Sequence, residues 1–215
     1  MPRVLFIGNS YTSRNNLPRL VAELAAAADP PQQVEFALVF SGGASLRRHW
    51  NAGRAQELLQ AKTWDYIVLQ EQSTLPIKNR QRYHDNVRLF AGLIAERGAK
   101  TLLYLTWSRQ AAPETQEAIT RGVYDIAHEI NARVVPVGLA WHRALDEIPG
   151  LQLYTSDGSH PTPDGSFLAA CMFHVMLFDG EPHGELVAGA LKLDWSIASR
   201  LQAVAWSFRT FGASA

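Results

Sequence analysis

Two short stretches of the chain carry side chains that can do acid–base chemistry together. The first, Gly8-Asn9-Ser10-Tyr11-Thr12, follows the apolar run Val4-Leu5-Phe6-Ile7 and reads as a strand passing through a tight turn into a helix. A serine at such a turn exposes its hydroxyl, and its amide lies at the positive end of the helix, where it can donate to an oxyanion. Gly8 supplies half of a G-x-S-x-G elbow, with Thr12 standing where the second glycine would be. A helix cap or a phosphate contact is the commoner role for serine at such a place.

The second stretch is Asp157-Gly158-Ser159-His160, followed by Pro161-Thr162-Pro163. Asp and His three residues apart in a turn can reach one another. Asp157 can then orient His160 through Nδ1 and leave Nε2 to take a proton from a serine. The two prolines stiffen the loop and hold the imidazole off the helix beyond it. A surface turn rich in Asp, Gly, Ser and Pro is the alternative reading. A metal site is not expected, because Asp157 and His160 lack a third ligand and the other histidines show no ligand spacing.

The elements that must position these residues alternate along the chain. Strands are expected at 4–7, 34–40, 66–69, 101–105 and 134–137, with helices near 17–28, 53–61, 80–97 and 114–131 between them. Five strands with intervening helices predict a parallel sheet covered on both faces, in a doubly wound, flavodoxin-like order. Beyond 137 the spacing predicts a short helix at 138–145, a loop at 150–163 and a buried helix at 163–178, with Thr162 as its N-cap. Ile197, Leu201, Val204 and Phe208 form one apolar stripe of a terminal helix. No repeat, linker or composition shift divides residues 1–215, so a single domain is expected.

Composition narrows the classes. The chain has 215 residues, 47% of them hydrophobic and 19% charged, which excludes a disordered chain. Lys and Arg number 20 against 20 Asp and Glu, so neither a nucleic-acid groove nor an anionic membrane surface is the expected partner. Cys171 is the only cysteine and rules out intrachain disulfides and cysteine-rich zinc sites. It lies in an apolar helix pattern and reads as inert packing. The apolar run after Met1-Pro2-Arg3 is too short for a signal-peptide core, and 167–178 falls short of a membrane span, so a cytoplasmic protein without membrane insertion is expected.

The order Ser10, Asp157, His160 resembles the SGNH/GDSL hydrolase superfamily, whose first block is G-D-S-x and whose last is D-x-x-H. Here Gly8-Asn9-Ser10 has Asn in place of the usual Asp, and the likeness runs from 4 to about 178. Ser41-Gly42-Gly43-Ala44-Ser45-Leu46 is similar to the second block, which supplies a glycine amide to the oxyanion hole; Gly43 aligns best. The third block, normally G-x-N-D, is Gln70-Glu71-Gln72-Ser73 here, with Gln72 at the Asn position and Gln70 as the alternative donor. The missing glycine points to a divergent branch.

The resemblance implies a three-layer α/β/α SGNH hydrolase fold with a five-stranded parallel sheet. It also implies a serine esterase or acylhydrolase. Ser10 would be the nucleophile, His160 the base and Asp157 its orienter, with the Ser10 and Gly43 amides and the Gln72 side chain as oxyanion donors. No metal or organic cofactor follows from it, and the substrate would be a small-molecule ester. Short acyl esters or acetyl-carbohydrate esters are favoured by the neutral charge and by Trp50 and Trp107, expected on the site's rim.

Other residues have plainer readings. Ser45 also follows a glycine by two residues but is expected to cap a helix. Glu71 could serve as an extra acid, but alternation past Leu69 should point it away from Gln70 and Gln72 into solvent or an ion pair. Two competing functions remain. One is a non-catalytic flavin- or phosphate-binding module with 8–13 as its cradle and Trp107 beside the ring. The other is an acyltransferase that uses the same triad, because acceptor access is not written in the residues.

Overall fold

The computed structural model describes residues 1–212. Its first strand, β1 (Arg3–Gly8), shows why its apolar run lacks polar alternation. Val4 and Phe6 enter one core layer while Leu5 and Ile7 enter the other, so both faces are covered. The remaining strands are β2 (Glu35–Phe40), β3 (Tyr66–Leu69), β4 (Lys100–Tyr104) and β5 (Arg133–Val135). All neighbours pair in parallel, in the order β2-β1-β3-β4-β5.

Helices α1 (Ser10–Ser13) and α2 (Leu17–Ala26) follow β1, and α3 (Leu46–Ala52) and α4 (Arg54–Ala61) follow β2. Next come α5 (Leu75–Lys78), α6 (Arg80–Glu96), α7 (Gln116–Glu129) and α8 (Val137–Glu147). The last three are α9 (Pro163–Phe178), α10 (Glu185–Ala190) and α11 (Trp195–Trp206). Leu20 and Leu24 of α2, Trp141 of α8, α9 and Leu201 of α11 cover one face of the sheet. Leu46 of α3, Leu59 of α4, Phe90 of α6 and Val123 of α7 cover the other. The protein is therefore a three-layer α/β/α fold with an all-parallel, flavodoxin-like sheet.

Several boundaries differ from the sequence reading for local reasons. The fifth strand stops at Val135 because Pro136 has no N–H for the ladder, and α8 starts directly after it. The helix expected at 53–61 is preceded by α3, and Gly53 at φ +78° separates the two. Asn15 and Asn16 both sit at positive φ, which breaks α1 from α2. α9 is buried on all sides and starts as expected, with Thr162 Oγ1 accepting from Gly165 N at 3.2 Å and Pro163 in the first turn.

In this strand order the chain leaves β1 towards β2 and later returns to β3 on the other side. The crevice beyond the carboxyl ends of β1 and β3 is thus the topological switch point, and Ser10 and Gln70–Gln72 follow those two strands.

Candidate active site

Ser10 is the first residue of α1, and Asn9 is the N-cap. Asn9 Oδ1 accepts from Tyr11 N at 3.1 Å, while its Nδ2 donates to Ala44 O at 3.0 Å. The second bond needs a donor, so a carboxylate at position 9 would face the carbonyl of Ala44 with nothing to give. Asn here both caps the nucleophile helix and ties it to the loop after β2.

Ser10 Oγ lies 2.8 Å from His160 Nε2, and His160 Nδ1 is hydrogen-bonded to Asp157 Oδ2. The loop that carries the pair is closed at its base by Thr162 N donating to Leu153 O at 2.9 Å and Thr155 N to His160 O at 2.8 Å. Asp157 Oδ1 accepts from Thr155 Oγ1, Ser159 N and His160 N, each at 2.9 Å. These donors, the His160 ring first, hold the Asp157 carboxyl well below the usual carboxylate range. The structure thus brings together Ser10, His160 and Asp157 from opposite ends of the sequence.

An aromatic column supports this arrangement from below. The Trp107 indole stacks on Tyr11 at 4.8 Å and on Trp141 at 3.8 Å between ring centroids. Its Nε1 donates to Ser159 O at 2.9 Å, and Tyr11 OH pairs with Ser159 Oγ at 2.7 Å. Tyr11 and Ser159 are the neighbours of Ser10 and His160, so the column couples the nucleophile helix to the histidine loop. Trp107, expected on the rim, is only 1% exposed and is a pillar under the site instead. The chain stays buried for four residues past the end of β4, Leu105 to Ser108, which carries the indole inward. Trp50, the other rim candidate, is half-buried on α3 and packs edge-on against Phe90 at 5.2 Å.

The loop after β2 turns from Ser41 to Ala44, with Ala44 N donating to Ser41 O at 3.1 Å. Gly43 is the third residue of that turn at φ +61°, a conformation that favours glycine, and it is exposed. Ser45 caps α3, accepting from Arg48 N at 3.3 Å. Gln70 is fully buried, its Oε1 accepting from Asn9 N at 2.8 Å and Thr12 Oγ1 at 3.0 Å and its Nε2 donating to Glu71 O. That amide is a strut, with both ends used. Gln72 is half-buried, and its Oε1 accepts from Thr74 N and Thr74 Oγ1, each at 3.0 Å. Its Nε2 donates to none of the described residues.

Glu71, expected in solvent or an ion pair, is instead 6% exposed, because α3 and α6 close over the end of β3. Burial raises its carboxyl above the usual range, while hydrogen bonds from Asn86, Gln72 N and Leu46 N and the charge of Arg82 pull the other way. A second serine–histidine contact, Ser108 Oγ to His142 Nε2 at 2.9 Å, joins the segment after β4 to α8. Ser108 is 1% exposed, so no substrate carbonyl reaches it. Among the described residues no cluster of three His, Cys, Asp or Glu side chains could hold a metal ion, and no helix is long and apolar enough to cross a membrane.

No family model and no curated protein matches the sequence. Solved structures do. A candidate SGNH hydrolase from Slackia heliotrinireducens is 26% identical, with a TM-score of 0.72 over 82% of this chain and 98% of that one. A DUF4886-family protein from Bacteroides uniformis is 20% identical, with a TM-score of 0.75 over 96% of this chain and 94% of that one. An acetylxylan esterase from Geobacillus stearothermophilus shares the fold at 17% identity, with a TM-score of 0.66 over 90% of this chain and 95% of that one. With a serine–histidine–aspartate set at the switch point of a flavodoxin-like sheet, and with these neighbours, the chain belongs to the SGNH/GDSL hydrolase superfamily of esterases and acylhydrolases.

Proposed function

We propose that the protein hydrolyses small carboxylic esters, with short acyl or acetyl-carbohydrate esters favoured, through an acyl-enzyme on Ser10. The observation that carries this reading is the 2.8 Å contact between Ser10 Oγ and His160 Nε2, with Asp157 bound to the far side of the ring. Asp157 fixes the tautomer in which Nδ1 carries the proton, so Nε2 accepts the proton of Ser10 as Oγ attacks the ester carbonyl. The oxyanion that forms accepts hydrogen bonds from the amides of Ser10 and Gly43 and from Gln72 Nε2. The imidazolium then protonates the leaving alcohol. A water repeats the cycle on the acyl-enzyme, giving the carboxylic acid and free Ser10. Acetyl removal from a carbohydrate is the reaction named for the Geobacillus neighbour and is one that this set of groups can perform.

The phosphate-cradle alternative loses ground on the same geometry. The donors that would line such a cradle are already engaged: Asn9 N and the Thr12 hydroxyl donate to Gln70 Oε1, and Tyr11 N donates to Asn9 Oδ1. The test is labelling with a fluorophosphonate probe followed by peptide mapping, alongside hydrolysis of p-nitrophenyl acetate. An adduct on Ser10, lost in a folded Ser10→Ala variant together with nearly all turnover, is the expected result. Retention of most of the wild-type rate by Ser10→Ala would remove Ser10 from the mechanism. Product analysis with an added alcohol distinguishes transfer to water from transfer to that acceptor.

A further inference from the structure

The buried carboxylate of Glu71 touches both loops on which the proposed oxyanion hole depends. Its Oε1 accepts from Leu46 N at 3.0 Å, just past the loop that carries Gly43, and from Gln72 N at 2.7 Å. Its Oε2 accepts from Asn86 Nδ2 at 2.8 Å, on α6. Asn86 Oδ1 in turn accepts from Arg47 Nε at 3.2 Å, which closes the network back onto α3. Three donors and no acceptor face the carboxylate, the pattern that suits an ionised side chain. A buried carboxylate is costly to desolvate and is retained only where its hydrogen bonds are well made.

From this network we infer that Glu71 is a positioning residue, a brace that sets the distance between the Gly43 loop and Gln72 and so the shape of the oxyanion hole. The inference rests on the hydrolase reading above and deepens it. The Gly43 loop has little else to hold it on this side. Its glycines are exposed, and its ties elsewhere are Asn9 Nδ2 to Ala44 O at 3.0 Å and the long Ser41 N to Gly8 O contact at 3.4 Å. Glu71 fixes the start of α3 directly behind the loop and, through the same oxygen, the backbone of the residue that carries the third donor.

The donor pattern also says which changes should break the brace and which should restore it. Glu71→Gln keeps Oε1 for the two amides but sets an NH2 group against the Asn86 NH2. Flipping Asn86 relieves that clash only by presenting its NH2 to Arg47. The double exchange Glu71→Gln with Asn86→Asp reverses donor and acceptor across the contact. It leaves Arg47 facing a carboxylate oxygen, so every partner is satisfied again.

The experiment compares wild type, Glu71→Ala, Glu71→Gln and the double exchange on p-nitrophenyl acetate, with amide hydrogen exchange measured on the same proteins. Glu71→Ala and Glu71→Gln should lower kcat about ten- to a hundredfold with KM within about threefold, as expected when oxyanion donors are misplaced rather than deleted. The double exchange should return kcat to within about threefold of wild type, a recovery that general loss of packing would not give. Exchange in Glu71→Ala should rise at 41–46 and 70–74 while the β1 and β4 segments stay protected. Unchanged exchange at both loops, or an active Glu71→Ala with wild-type kcat, overturns the brace alone. A folded wild type that neither turns over nor labels at Ser10 would instead sink the hydrolase reading beneath it.

Discussion

The pair of hydrogen bonds on His160 is directional, and the direction is set by Asp157. A carboxylate can only accept, so it forces the ring proton onto Nδ1 and leaves Nε2 facing Ser10 as an acceptor. Asp157→Asn offers an amide that can donate to Nδ1 and trap the opposite tautomer, in which Nε2 carries the proton and cannot take one from Ser10. The expected result is a loss of kcat on the order of 10⁴-fold with little change in KM, measured on p-nitrophenyl acetate at neutral pH. A kcat within tenfold of wild type would mean that the ring is oriented by something else. Thr155 and the amides of Ser159 and His160 still have an acceptor in the Asn side-chain oxygen, so the loop should keep its shape. The loss is then chemical rather than structural. Circular dichroism and the thermal midpoint, both close to wild type, would confirm that.

At the scale of elements, the turn from β1 into α1 is built around the absence of a side chain at Gly8. A Cβ there would stand 2.5 Å from Thr12 Oγ1 and 2.7 Å from Gln70 Oε1, both buried and both already paired. Gly8→Ala must therefore push α1 away from the β3 end or break the Thr12–Gln70 contact. It should cost about 1–3 kcal/mol of stability, as overpacking does, and should lower kcat well beyond that through the displaced Ser10. Chemical denaturation together with turnover checks both, and a fully active, equally stable variant would show that the turn yields at no cost. Such constraints mark the limit of what the sequence discloses. The apolar run before Gly8, the nucleophile turn and the Asp157–His160 loop are local patterns and can be read from spacing. Helix α10 is not, because a six-residue segment carries a weak local signal. Nor is the placement of Glu71, Gln70 and Trp107. Each looks like a surface or rim residue by its position after a strand, and each is buried by helices distant in sequence. Tyr11 and Ser159 carry the one usable hint, since each adjoins a residue whose chemistry is already evident.

Over the whole molecule, α9 is the helix buried without a break from Gly165 to Leu177, and it holds a polar ring among those residues. His174 is fully buried in this helix, and neither ring nitrogen makes a well-formed hydrogen bond among the described residues, the Glu181 backbone being its one weak polar neighbour. Burial, and then the charge of His183, pushes its pKa down to about 4; the Glu181 backbone opposes this only in part. In the unfolded chain the same side chain titrates near its ordinary value of about 6.5. Between those values the unfolded state binds a proton that the folded state refuses, so stability falls as the pH drops through that window and levels off below about 4. At ~1.4 kcal/mol per pH unit the full effect is on the order of 3 kcal/mol. His174→Leu removes the titrating group and leaves an apolar side chain against the ring of Phe178. It should be at least as stable as wild type at pH 7.5, since no unpaired polar atoms remain buried. Its advantage should widen steadily from pH 6.5 to 4.5. Urea midpoints for both proteins at pH 7.5, 6 and 4.5 measure this directly, and parallel curves would rule out His174 as the source of acid lability. His174 makes no contact with the Ser10–His160–Asp157 set, so turnover at neutral pH should be the same in both. A matched kcat alongside diverging midpoints would separate the group that limits the fold in acid from the groups that carry out the reaction.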